Sequence, residues 1–435
     1  MSPHTPSDQA VARNGERTAA RHGWGRAVVA VLAGLIVMGV VAALGLWAAG
    51  ATDLPDNAYP RVVAATVVTA VGGTVEFAGD AGVIAETQAG LTVIPLSVTL
   101  AGALVITAGF LRPLRHRAVA GAAELAGWAA RFAVLWVLAL VGLALFARQN
   151  FKVSLGKGTI SDIGELFGAT PKVGFTTDVP STLGFGVLWL AGVLVLALLV
   201  SPGAPLPARL LRFQESVRPA AFAMVALLLT YVALGVVIGL VMAATRGHAS
   251  ATFALILLGL PNLVWLSLTI GLGATWNGRV DGPFGLPIPH LLDQVLRTPD
   301  VSTLNLHTLA EHDAGVWWLV VVDAVLLLAA AFLMAARSPA RMRAWQHAVH
   351  MAVALVLTVL MICLVVRISA HYGLSIVGIG DIGGGLQGEL FLKPQVGTAL
   401  GFAASWGLVT GFLGGLLAKR VRRKGEVRAV APDGS

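Results

Sequence analysis

One carboxylate, Asp323, interrupts the apolar run 316–336. A charge inside hydrocarbon is costly and faces either a partner or a water cavity. Two readings follow: a proton or ion relay, or an interhelical hydrogen bond with Arg367 or a tyrosine such as Tyr231 as partner. A second feature is Pro261-Asn262, in the middle of the apolar run 253–274. Proline lacks an N–H and crowds the preceding turn, so a helix broken here would expose backbone groups able to hold a solute. The alternative is a surface-parallel helix that packs the outer loops. Asp323, Pro261, Asn262 and Arg367 are thus the candidate transport or relay residues. Candidate acids of the outer loops are Asp162, in Asp162-Ile163-Gly164, and Asp381, in Asp381-Ile382-Gly383. They could bind a cation or do acid/base work, although turn chemistry accounts for Asp beside Gly equally well.

Other motifs carry less. Gly378, Gly380 and Gly383 match a dinucleotide fingerprint, but no strand–helix–strand unit surrounds them. Gly156-Lys157-Gly158-Thr159 lacks the upstream glycine of a phosphate-binding loop, and His307 to His312 is one residue too long for H-x-x-E-H. His347 and His350 share a helix face without a third ligand, and Cys363 is the sole cysteine, so neither a disulfide nor a cysteine-rich metal site is expected. No catalytic residue, metal or cofactor is assigned, and an enzyme is the less favoured class.

The elements that must position these residues are membrane spans. Of 435 residues, 57% are hydrophobic and 12% charged, against about 25% charged in soluble domains. Runs near 20 residues cross about 30 Å of hydrocarbon. Eight spans are expected: 27–50, 91–111, 128–147 and 182–201, then 220–244, 316–336, 346–366 and 396–418. A disordered tail precedes them (1–26), a linker joins the two sets (202–219) and a basic tail follows (419–435). Nineteen of the 30 Lys and Arg fall in the tails, linker and turns of one side, which places these in the cytoplasm and explains the +8 net charge without nucleic acid. The runs 62–75 and 253–274 remain. If both crossed, Arg112, Arg115 and Arg117 would lie outside, so both are read as re-entrant or interfacial helices; ten spans is the competing count. Alternating runs such as Phe151 to Leu155 suggest small hairpins in the outer loops.

The two sets of spans look duplicated. Thr182-Leu183-Gly184-Phe185 and Trp189 match Ala399-Leu400-Gly401-Phe402 and Trp406 at an offset of 217, shared by Trp128 and Trp345. Arg148 and Arg367, like Asp162 and Asp381, are offset by 219. With four spans each, the repeats would be parallel. The expected fold class is therefore an all-α polytopic membrane protein of two parallel four-helix repeats. Short re-entrant helices and small loops sit on its outer side.

The stretches 91–117, 207–219 and 281–309 resemble the streptophobe family of hydrophobic membrane proteins from streptomycetes and relatives. The third contains Asp281-Gly282-Pro283-Phe284-Gly285 and Thr298-Pro299-Asp300-Val301-Ser302-Thr303-Leu304. The resemblance implies a plasma-membrane location and supplies no site residues. Three functions are weighed: transport or permeation of a small solute or ion, a scaffold for a membrane complex, and an enzyme using outer-loop acids. Expected partners are the lipid bilayer and a second copy or another membrane protein. Glycines spaced along 396–418, and Gly235 and Gly239, favour close helix contact, internal more than between copies.

Overall fold

The structure is a computed structural model that describes residues 6–54, 58–80, 85–114, 122–152, 172–201, 208–247, 249–280, 295–296, 301–339, 341–376 and 388–420. Asp162 and Asp381 lie outside them. The helices of the N-terminal half are α1 (Pro6–Ala48), α2 (Tyr59–Ala70), α3 (Leu96–Leu111), α4 (Ala122–Phe146) and α5 (Val179–Val200). Those of the C-terminal half are α6 (Ala208–Thr245), α7 (Ala249–Gly271), the short α8 (Leu306–His312), α9 (Trp318–Arg337), α10 (Ala344–Val365) and α11 (Val396–Leu417).

Among the described residues, eight helices contain apolar stretches of 22 to 29 residues, about 33–44 Å at 1.5 Å per residue. Their outer faces carry exposed Leu138, Leu188, Val325 and Leu357. Apolar surface on this scale is stable in lipid and not in water. The chain is a multi-pass, mainly helical membrane protein.

The number of long apolar helices equals the expected number of spans, but the sets differ by one. α3 has 16 residues, because Leu91 and Thr92 end a strand and Pro95 caps the helix. At about 24 Å it falls short of a 30 Å core. Its place among the eight is taken by α7, a 23-residue helix covering most of the run read as broken. α7 continues through Pro261. A proline there removes one intrahelical bond, which packing on both sides can offset. The run 62–75 is the 12-residue α2 followed by a strand. The N-terminal tail is also helical from Pro6 rather than disordered; its Ala, Arg, Glu and Gln are good helix formers, continuous with the first apolar run. The linker is helical from Ala208 onward, as the start of α6.

Among the described residues, the chain between helices forms eight strands: β1 (Val75–Asp80), β2 (Ala85–Thr92), β3 (Gln149–Lys152), β4 (Lys172–Thr177), β5 (Trp276–Val280), β6 (Ser302–Leu304), β7 (Ile368–Ile376) and β8 (Gly388–Pro394). They make one sheet in the order β3-β4-β1-β2-β7-β8-β5-β6. Alternating sequence implies short hairpins but not their union. The central pair joins the halves: β2 and β7 run antiparallel from Ala85↔Ile376 to Thr92↔Ser369. On one side of this pair Val75 faces Thr177 and Gln149 faces Phe175; on the other Trp276 faces Pro394 and Ile368 faces Leu392.

Two core clusters match the two halves. One, around Phe132, Trp136 and Leu140, draws on α1 to α5; the other, around Trp276, Leu327 and Leu355, draws mainly on the later helices. α7 serves both, giving Leu258 to the first and Trp265 to Ile270 to the second. Part of the α11 glycine series packs internally: Gly411 lies against Met351 and Ala348 of α10 and Gly414 against Ala331 of α9, whereas a Cβ on Gly397 or Gly401 would meet nothing within 4 Å. A side chain at Gly411 or Gly414 would meet backbone, which cannot step aside.

Candidate functional site

Asp323 occupies the second turn of α9 and is fully buried. Tyr231, from α6, donates its hydroxyl to Asp323 Oδ1. Gly271, the last residue of α7, lies against Oδ2, so a Cβ there would overlap the carboxyl group. Oδ2 has no hydrogen-bond partner among the described residues. Three helices thus close around one polar pair. Of the two partners expected for Asp323, Tyr231 is the one present. Arg367 lies exposed between α10 and β7 and makes no described bond to the carboxylate.

Asn262 has a different role from the one expected of a helix break. Its side-chain oxygen accepts the Leu96 N–H at 3.2 Å and its amide donates to the Ile94 carbonyl at 2.9 Å. Leu96 is the first residue of α3, whose N–H has no intrahelical acceptor. Asn262 therefore caps a neighbouring helix, and Ser97 reinforces the contact by donating to the Ile256 carbonyl at 2.8 Å. Pro261 and Asn262 are both buried. The exposed backbone expected of a broken helix is not found here.

The open space lies elsewhere. A cavity of about 670 Å³ runs along the seam between the halves. α3 and α5 form one wall, with Leu100, Leu104, Trp189 and Leu196. α6, α7 and α10 form the other, with Phe222, Leu228, Trp265 and Met361. No charged side chain lines it, and its polar side chains are the hydroxyls of Thr99, Thr107 and Ser201. Thr99 already donates to the Ala70 carbonyl at 2.5 Å. Asp323 and Asn262 are not among the lining residues, although neighbouring positions on α6 and α7 contribute Leu228 and Trp265. α6 therefore shows Leu228 to the cavity and, about one turn on, Tyr231 to Asp323.

Such walls place no charged acid or base beside their three hydroxyls, and they give an inorganic ion little replacement for its water shell. They suit an apolar or amphipathic guest. Among the described residues no group of three or more His, Cys, Asp or Glu is placed to hold a metal. His347 is buried at the start of α10, and Cys363 is a buried free thiol. No sequence signal marks the cavity, because its residues are ordinary members of apolar helices. Comparison with family models, curated proteins and solved structures finds no match to this chain.

Proposed function

We propose that this protein is a plasma-membrane permease-like protein of two parallel repeats, which passes or holds an apolar or amphipathic small solute at their seam. The observation that carries the reading is the uncharged cavity between the halves.

Several geometric pairs support the repeats: those at the start of α5 and α11 keep the offset of 217 seen in sequence, and those after α2 and α7 are offset by 201. The sub-orders β3-β4-β1-β2 and β7-β8-β5-β6 correspond strand for strand. Gly72 after α2 and Gly273 after α7 have φ of 91° and 103°, and pack against Phe185 and Phe402, 217 residues apart. The Asp178 N–H donates to the Thr74 carbonyl, and the Gln395 N–H donates to that of Thr275. Parallel repeats account for both sets of strands joining one sheet at one membrane face.

In this reading α2 and α7 stay on the sheet side, and α3 is the short eighth span. The contacts of α7 support this: Ile256 meets the first turn of α3, while Gly271 meets the second turn of α9. The first turn of α3 follows β2 after three residues and Gly271 precedes β5 by five, so in this reading the roughly 22 Å of helix between them runs across the molecule rather than through it. The basic turns and both termini then face the cytoplasm, and the plasma-membrane location follows the streptophobe resemblance. A reporter fused at Gly247 and one at the C terminus should report opposite sides; the same side for both would overturn this topology.

The functional test is flux of fluorescent amphipathic solutes in proteoliposomes, wild type against Gly192→Phe. Gly192 lines the cavity, and a Cβ placed on it would have no atom within 4 Å, so the substitution starts in open space. Flux should fall at least about tenfold. The control is Gly184→Phe, also in open space on α5 but away from the cavity; equal flux in all three proteins would refute the seam pathway. A scaffold is the second reading, favoured by the sealing of Asp323. It expects no flux and stable co-purification of a membrane partner.

A further inference from the structure

We infer that the seam cavity is a binding site for an anionic phospholipid of the inner leaflet, with an acyl chain in the groove and its phosphate among Arg112, Arg218 and Arg337. This rests on the sidedness and seam proposed above, and it names the guest.

The groove has the dimensions and chemistry of an alkyl chain. Along α5 it is lined from Phe185 to Val200, 15 residue steps or about 22 Å. That exceeds the roughly 15 Å depth of one leaflet, half of a 30 Å core. Its entrance faces lipid: Leu104, Leu188 and Leu196 line the cavity and are 51%, 67% and 44% exposed. A chain can therefore enter sideways from the bilayer without crossing polar surface.

The end remote from the sheet supplies the headgroup site. Leu111, Ser201 and Phe222 line the cavity there. Arg112 directly follows Leu111 and is exposed. Arg218 precedes Phe222 by one turn of α6. The guanidinium of Arg337, from α9, lies 3.6 Å from the centroid of the Phe222 ring. That contact fixes the cation at the rim. Arg112 and Arg218 stand one residue and one turn from cavity-lining residues and Arg337 packs on Phe222, at the end where the apolar slot meets the membrane surface in this reading, and a guanidinium fork matches phosphate oxygens. Basic pockets between helices on the cytoplasmic side are suited to anionic headgroups. A zwitterionic lipid would offer the same chain but bring its own cation to the rim.

The experiment is native mass spectrometry of the full chain, delipidated in detergent and titrated with phosphatidylglycerol or phosphatidylcholine of identical chains. Wild type should retain phosphatidylglycerol at least about fivefold more tightly. Arg112→Gln/Arg218→Gln/Arg337→Gln should lose that preference while keeping chain binding. Gly192→Phe should lose both lipids, and Gly184→Phe neither. Equal retention of the two lipids by wild type overturns the headgroup assignment, and wild-type retention by Gly192→Phe overturns the groove. Solute flux without lipid preference sinks this inference alone; lipid preference without flux sinks the permeation reading alone.

Discussion

The Asp323 pair and the seam cavity are built from overlapping sets of helices by opposite rules. Around Asp323, α6, α7 and α9 close until no water-sized space separates Gly271 from the carboxyl group, and polarity is concentrated in one hydrogen bond. At the seam, beyond the contacts of Asn262 and Ile256 with the start of α3, α6, α7 and α10 leave a space against α3 and α5 that is almost wholly apolar. In a membrane the first arrangement holds helices together, because a buried polar pair has no better partner in lipid. The second leaves room for a guest. The residue most conspicuous in sequence is thus held in a hydrogen bond between helices, and the cavity is lined by residues that no motif search would select.

That contrast can be broken by substitutions that ought to affect one region and spare the other. Gly192→Phe should have the largest effect on flux, about tenfold or more, with thermal unfolding in detergent close to wild type; a matching fall in stability would mean that the cavity is part of the packed core. Asp323→Ala should do the reverse. It strands the Tyr231 hydroxyl and leaves a void, costing about 1–3 kcal/mol, read as a lower unfolding midpoint in a denaturant series. Lipid retention at the seam should survive; its loss would join the two regions into one site. Asn262→Leu removes the cap on α3 and should cost about 1–2 kcal/mol, followed by faster hydrogen exchange at Leu96 and its neighbours. Unchanged exchange there would show that the cap contributes little. The smallest effect is expected of Asp323→Asn. The amide oxygen still accepts from Tyr231, so flux should stay within about twofold of wild type. A tenfold loss would support the relay reading of Asp323.

Much of the architecture is legible in the sequence because hydrophobic length is a direct physical signal. The spans on either side of Asp323, and the Arg-bearing turns that follow spans, can be found by eye. Tyr231 can also be named as a partner, since an intramembrane acid needs one and tyrosines are scarce. Boundaries set by backbone chemistry are harder. Leu91 and Thr92 are apolar enough to extend α3, but they pair with Ala370 and Ser369, a contact across nearly 280 residues that local pattern cannot register. Pro261 misleads for a related reason: a proline breaks a helix only where its neighbours cannot supply the lost contacts. Asn262, beside it, looks like exposed chemistry and instead completes the first turn of another helix. The cavity is invisible in sequence because empty space depends on how apolar stripes from several helices fail to meet.

The β2–β7 ladder has one mechanical consequence. Eight residue pairs weld the halves along the sheet face, and parting them there would strip many backbone bonds at once. Relative motion of the halves is then confined to splaying, like covers turning about a spine, with the gape greatest beside the arginines. Spin labels at Ser201 and Phe222 should report a spread of distances on adding lipid, while labels at Thr92 and Ser369 hold one narrow value; the opposite pattern would move the hinge to the other surface.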